Sequence, residues 1–155
     1  MTPYTLDQFG HRIDTFKHLF TRWIGQTGLN YNTYAVLYSL ATAEGGLCTQ
    51  KAIAHEWLIA KQTVSNVCKD FHAKGWVAFS ESPHDKRERL MRLTAAGRAQ
   101  AEPMMRLWDA LDRRIFAAFG QEKAAEMFAL LDAFARVFEA AIELPPPRTS
   151  RGNVS

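Results

Sequence analysis

The amino-acid sequence predicts a mainly α-helical fold in the order α-α-α-α-β-β-α-α, with one short β-hairpin ahead of two long terminal helices. Three observations predict it. Apolar residues recur at three- and four-residue steps over most of the chain, the spacing of helices buried on one face. That rhythm breaks between Trp76 and Leu93, where apolar residues alternate on either side of a polar segment containing Pro83. Capping residues Asn30, Thr49 and Thr94 precede apolar runs, and Gly45-Gly46, Gly75 and Gly120 follow them. At 155 residues with 47% hydrophobic content, the chain is long enough for one continuous core.

The first helix is expected over 7–24, with Ile13, Phe16, Phe20, Trp23 and Ile24 as its stripe. Asn30 caps a second, over 31–43, whose inner face is Tyr34, Leu37, Tyr38 and Ala41. Leu47-Cys48 is a short extended piece. Thr49 then caps a third helix, over 50–57, with Ala52, Ile53 and Trp57 facing inward. After a turn over 58–61, a fourth helix runs to Lys74, and Val64, Val67, Cys68 and Phe71 form its packed face. Residues 76–80 and 89–93 are the hairpin strands, and 81–88 are the tip. A two-stranded hairpin is marginal alone, so it must rest on the helices. Thr94 caps the fifth helix, over 95–118, with a stripe of Leu107, Trp108, Leu111 and Ile115 and a potential kink at Pro103. The sixth, over 121–143, has a broad apolar side of Met127, Leu130, Leu131, Phe134, Val137, Phe138, Ala141 and Ile142. One partner helix cannot cover so wide a face, which favours self-association over packing within a monomer. The segment 145–155, with Pro145-Pro146-Pro147, Arg148 and Arg151, is expected to be a mobile tail.

The net charge is +3 with 16 acidic residues, so any nucleic-acid partner requires locally grouped cations rather than a polybasic coat. The sequence shows neither a signal-peptide pattern nor an apolar run of the ~18 residues a membrane span needs, so a cytoplasmic protein with no membrane partner is expected. Cys48 and Cys68 form no zinc-type pair, and the five histidines show no ligand spacing, so neither metal nor cofactor is expected. Absence of a P-loop, GxGxxG, HExxH or nucleophile elbow argues against an enzyme and leaves no catalytic residues to name.

Two helices joined by a short turn and followed by a hairpin make a winged helix-turn-helix, whose second helix suits the DNA major groove. The outward positions of the fourth helix are Lys61, Gln62, Thr63, Ser65, Asn66 and Lys69, with no acid before Asp70. Gln and Asn can pair with adenine, hydroxyls reach bases or phosphates, and lysines neutralise phosphates. The hairpin adds Lys86, Arg87, Arg89 and Arg92 against Glu88. An arginine on a protruding tip can enter the minor groove. Asp85 is expected to organise the tip by holding the Arg87 guanidinium. The competing readings are a solvated polar helix face and an ordinary charged turn, as in a helical protein-interaction module.

With these residues in view, the sequence resembles the MarR family of winged-helix transcriptional regulators. The resemblance is densest over Asp85-Lys86-Arg87-Glu88-Arg89-Leu90-Met91-Arg92-Leu93-Thr94 and Gly97, similar to the family's wing signature. It extends to Leu47–Ala54, Lys61–Ser65 and Lys74–Val77. It implies a homodimer on pseudo-palindromic operators, usually as a repressor. Residues 30–93 would be the DNA-binding part and 7–24 plus 95–143 the dimerisation part of a single unit over 1–144. Arg87 would lie in the minor groove and residues 61–69 in the major groove.

The resemblance also implies that a small aromatic or phenolic effector is a candidate partner. His11, Phe16, Trp23, Tyr34, Tyr38 and Trp108 are the candidate ligand-binding residues on the flanking helices, with plain core packing as the alternative. Oxidant sensing through Cys48 or Cys68 is a further alternative. One departure stands out: Trp57-Leu58-Ile59-Ala60 replaces the family's more usual Leu-Gly-Leu-Ser. The turn before the fourth helix therefore lacks its glycine and its capping side chain.

Overall fold

A computed structural model describes residues 3–145. Apart from Pro145, the tail expected over 145–155, with Arg148 and Arg151, lies outside the described residues. The elements are α1 (Leu6–Gln26), α2 (Tyr31–Thr42), a 3-10 turn (Glu44–Gly46), β1 (Cys48–Thr49), α3 (Gln50–Trp57), α4 (Lys61–Ala73), β2 (Val77–Glu81), β3 (Arg89–Leu93), α5 (Ala95–Phe119) and α6 (Gln121–Glu143). The fold is a winged helix-turn-helix flanked by long helices. The chain divides into two compact units between Asp109 and Ala110.

Local chemistry accounts for the helix starts. Thr5 and Gln8 form a reciprocal capping box at α1, each side chain accepting from the other's backbone amide at 3.2 Å. Asn30 accepts from the Thr33 amide at 2.9 Å, and Thr49 accepts from the Ala52 amide at 3.1 Å. No side chain caps α4, because Ala60 offers no acceptor beyond its carbonyl, which takes the Val64 amide.

The α3–α4 turn keeps a left-handed residue despite lacking glycine. Leu58 sits at φ 51°, ψ 44°, closing α3 through its amide to the Ala54 carbonyl. It is 92% exposed, so its side chain gains little from packing while its Cβ crowds the backbone.

The sheet has three antiparallel strands in the order β1-β3-β2, one more than the hairpin alone. The extended piece at Cys48 supplies the third, with Cys48 opposite Met91 and Thr49 opposite Leu90. In the hairpin, Val77 faces Leu93 and Phe79 faces Met91. Along β3, Met91 and Leu93 are buried on one face and Arg92 is exposed on the other, while Arg89, on the face of Met91, is exposed at the outer end of the strand.

In the first unit the core is built from Ile24, Tyr34, Leu37, Leu40, Ile53, Val64, Cys68, Phe71, Val77, Met91, Leu93 and Met104. Three inner faces differ from those read in the sequence. On α2 the buried set is Tyr34 to Leu37 plus Ser39 and Leu40, because α1, α3, α4 and β3 surround it. A helix enclosed on most sides has no single stripe. On α3, Ala52 is exposed and the neighbouring Ala54 packs. On α5 the buried residues are Gly97, Ala101 and Met104, whereas Leu107 and Ile115 are exposed. The helix continues through Pro103.

In the second unit, α6 buries Ala124. Val137 and Ile142 are 67% and 66% exposed, and Leu130, Leu131, Phe134 and Phe138 also carry exposed area.

The α5 start is fixed by a main-chain junction. Thr94 donates its amide to the Trp76 carbonyl at 2.9 Å and its hydroxyl to the Gly75 carbonyl at 2.5 Å. The same hydroxyl oxygen accepts from the Gly97 amide at 3.1 Å, the capping bond of α5. Gly75, at φ 74°, ends α4 while the Trp76 amide reaches back to the Phe71 carbonyl. At Gly97 an added Cβ would lie 2.0 Å from the Trp76 carbonyl oxygen. Gly97→Ala is therefore expected to destabilise the protein by about 3 kcal/mol or more, read as a lower urea midpoint. Leu58→Gly should have the opposite sign, gaining about 1 kcal/mol by relieving the left-handed strain, read in the same unfolding experiment.

Candidate nucleic-acid interface

The antiparallel hairpin and α4 stand apart at their outer ends and leave a groove of about 810 Å³. Gln50 and Lys51 from α3 line it, with Lys61, Ser65, Lys69 and His72 from α4 and Phe79, Asp85, Arg87, Glu88 and Arg89 from the hairpin. Five cationic side chains thus face two carboxylates across one concavity. Asp70 is drawn away to Lys74 at 2.8 Å, which leaves the cations of the groove free of it.

Of the sequence-expected contact residues, Lys61, Ser65, Lys69, Arg87 and Arg89 converge on the groove. Gln62 and Asn66 lie on the exposed face of α4, one turn apart, and the Gln62 side-chain amide donates to Asn66 Oδ1 at 2.9 Å. This bond holds the two amides side by side. Lys86 is exposed at the tip, while Thr63 is half-buried.

The tip owes its shape to backbone hydrogen bonds. Asp85 Oδ1 accepts from the Arg87 amide at 2.9 Å, and the Asp85 carbonyl accepts from the Glu88 amide at 3.1 Å. The expectation that Asp85 holds the Arg87 guanidinium is therefore corrected: it organises the turn through main-chain atoms, an Asx turn, because its short side chain reaches the amide two residues on. The guanidinium of Arg87 is left exposed for another partner. Ser82 completes the loop. Its buried hydroxyl lies 3.3 Å from the His84 amide and 3.4 Å from the Asp85 amide, accepting from both, and its own amide donates to the Glu88 carbonyl.

The sequence reading missed Gln50, Lys51, His72, Phe79 and Ser82 as contributors. Ser82 ahead of Pro83 and Asp85 is a turn signal that could have been found. The rest depended on which faces α3, α4 and β2 turn toward one another.

The candidate ligand residues divide. Trp23, Tyr34, Tyr38 and Trp108 meet in one aromatic cluster with Phe20 and Trp57, with ring centroids 5.4 to 6.3 Å apart. His11 and Phe16 do not join it and lie exposed on α1. Trp57 donates its indole N–H to the Ser39 hydroxyl at 2.8 Å, anchoring the end of α3. The Tyr34 hydroxyl is fully buried without a hydrogen-bond partner. Burial, followed by the nearby Tyr38, pushes the Tyr34 phenol well above its ordinary value, so it stays protonated as a donor.

Burial also raises both thiols, Cys68 to about 12, which disfavours their thiolate forms. Among the described residues no group of three or more His, Cys, Asp or Glu could hold a metal ion, and no helix is long and apolar enough to cross a membrane.

Known proteins share this fold. A profile described as MarR family matches residues 27–88, from α2 to the wing tip. A MarR family regulator from Neisseria meningitidis is 44% identical, with 88% of this chain and 95% of that one covered and a TM-score of 0.74. The chain belongs to the MarR family. Among curated proteins no relative matches. BpsR of Bordetella bronchiseptica, whose DNA binding is regulated by 6-hydroxynicotinic acid, shares the fold at 24% identity, with 83% and 98% of the two chains covered and a TM-score of 0.65. NadR in complex with 4-hydroxyphenylacetate shares it at 20% identity, with 88% and 97% covered and a TM-score of 0.69. As a MarR-family regulator, the protein belongs to a family of non-enzymatic transcription factors.

Proposed function

We propose that this MarR-family chain is a homodimeric regulator that binds duplex DNA sequence-specifically and represses from a pseudo-palindromic operator in the cytoplasm. The observation that carries the reading is the cationic groove between α4 and the wing, with Arg87 exposed at its outer end. Lys61, Lys69, Lys86 and Arg89 would meet phosphates, giving affinity that falls steeply with salt. Gln62, Asn66, Thr63 and Ser65 would address base edges in the major groove, and Arg87 the adjacent minor groove. The start of α4 supports this assignment, since no side chain caps it and the first amides of a helix can bind an anion.

In this reading residues 7–24 and 95–143 form the dimerisation region. The exposed apolar side chains of α6 support it, because a monomer would present them to water. A small aromatic or phenolic effector is the proposed partner of the aromatic cluster around Trp23, Tyr34, Tyr38 and Trp108, with His11 and Phe16 as flanking candidates. The unpartnered Tyr34 hydroxyl supports it: a carboxylate or phenol reaching the cluster would satisfy a donor that is otherwise costly to bury.

Duplex selected from a random pool by the wild-type protein provides the test. Arg87→Ala should weaken binding to it by roughly tenfold, about 1–3 kcal/mol, without changing thermal stability; unchanged affinity at physiological salt would remove the wing from the interface. Ile142→Glu should shift the protein from dimer toward monomer in sedimentation by roughly 3 kcal/mol or more. An intact dimer would place the interface elsewhere.

A further inference from the structure

Arg89 is the first residue of β3, and the antiparallel register puts it opposite Glu81. Phe79, two residues back on β2, is its diagonal neighbour on the same face, within reach of a long side chain. The guanidinium takes that diagonal: its Cζ lies over the Phe79 ring, 5.5 Å from the centroid. Among the described residues no ion pair joins Arg89 to Glu81 or Glu88. The ring thus orients the guanidinium without using its N–H donors, which a carboxylate would occupy. The same ring meets His72 in the last turn of α4, with centroids 4.9 Å apart. All three side chains line the groove. Phe79 therefore joins the C-terminal end of the reading helix to the base of the wing, and Arg89 is carried on that joint.

We propose that Phe79 is a positioning residue for duplex binding: its ring, braced by His72, holds the Arg89 guanidinium in the groove so that its free donors meet a backbone phosphate of double-stranded DNA. The inference rests on the duplex-binding reading above and adds a requirement to it. A cation at residue 89 is not sufficient; it must be planar and must have an aromatic ring beneath it. Lysine keeps the charge but has neither the planar face for stacking nor the forked donors.

The test measures binding of the full chain to a mixed-sequence duplex as salt is varied, since a phosphate contact acts on all sequences alike. Arg89→Gln should lower affinity by about three- to tenfold and reduce the salt slope by about one. Arg89→Lys, conservative in charge, should lose most of the same affinity. Phe79→Leu should fall to a similar level, Phe79→Tyr should bind like wild type, and adding Phe79→Leu to Arg89→Gln should cause no further loss. Wild-type binding by Arg89→Lys, or losses from Phe79→Leu and Arg89→Gln that multiply, would overturn the positioning role. Should Phe79→Leu fail to fold by thermal melting, the comparison of Arg89→Lys with Arg89→Gln decides alone, because both changes are at an exposed site. A positioning failure in which Arg87→Ala still weakens binding leaves the duplex reading intact. Wild-type protein that shows no salt-dependent duplex binding removes both.

Discussion

At the junction of Trp76, Thr94 and Gly97 four elements are held together through main-chain atoms and the Thr94 hydroxyl, and the wing takes its direction from that contact. The Trp76 carbonyl accepts the Thr94 amide and lies where a side chain on Gly97 would have to go. The Thr94 hydroxyl meanwhile joins the Gly75 carbonyl to the first turn of α5. The end of α4, the start of β2, the end of β3 and the start of α5 are thereby fixed relative to one another. Backbone contacts of this kind have no rotamers to relax into, so they transmit position more rigidly than side-chain packing does. Both walls of the groove between reading helix and wing return to this point.

From the junction outward, the groove becomes progressively more polar and more local in its organisation. Near the base, Val77, Met91 and Leu93 lie in the core, and position follows from packing. Midway, Phe79 meets His72 and Arg89, an aromatic contact at the boundary between core and solvent. At the tip, Ser82 and Asp85 hold the loop entirely through backbone amides. Each layer suits its surroundings: burial drives the first, ring contacts with an exposed guanidinium and an exposed imidazole the second, and hydrogen bonds that need no hydrophobic support the third. The cations stand on a scaffold whose order is established without them, so their charge is left for an external partner.

The turn before α4 shows how the chain tolerates a locally unfavourable choice. Leu58 adopts the left-handed conformation that glycine would take more readily, and Ala60 leaves α4 without a side-chain cap. Trp57 offsets this from one side. Its indole bonds to Ser39, and its ring packs against Phe20, Tyr34 and Tyr38. The end of α3 is thus anchored in the aromatic cluster immediately before the strained residue. The reading helix is placed by tertiary packing, through its own buried Val64, Cys68 and Phe71 and through the anchored end of α3, rather than by the intrinsic preference of the turn.

The sequence by itself determined the element order, the helix starts and the family. Asn30, Thr49 and Thr94 cap through bonds spanning three residues, and the Asp85–Thr94 signature needs only local spacing to be read. The position of Arg87 at an exposed tip followed for the same reason. Tertiary structure alone decided the rest. The buried side of α2 was set by four surrounding elements, and that of α5 by Gly97, against the Trp76 carbonyl, with Ala101 and Met104 in the core, whereas Leu107 and Ile115 are exposed. Cys48 became a strand through pairing with Met91, a partner 43 positions away in the chain. Asp85 turned from the guanidinium to the amide of Arg87 once the loop geometry was fixed, and Phe79 came under Arg89 through the register of β2 on β3. Periodicity reports which residues prefer to be buried, whereas long-range contact decides what they are buried against.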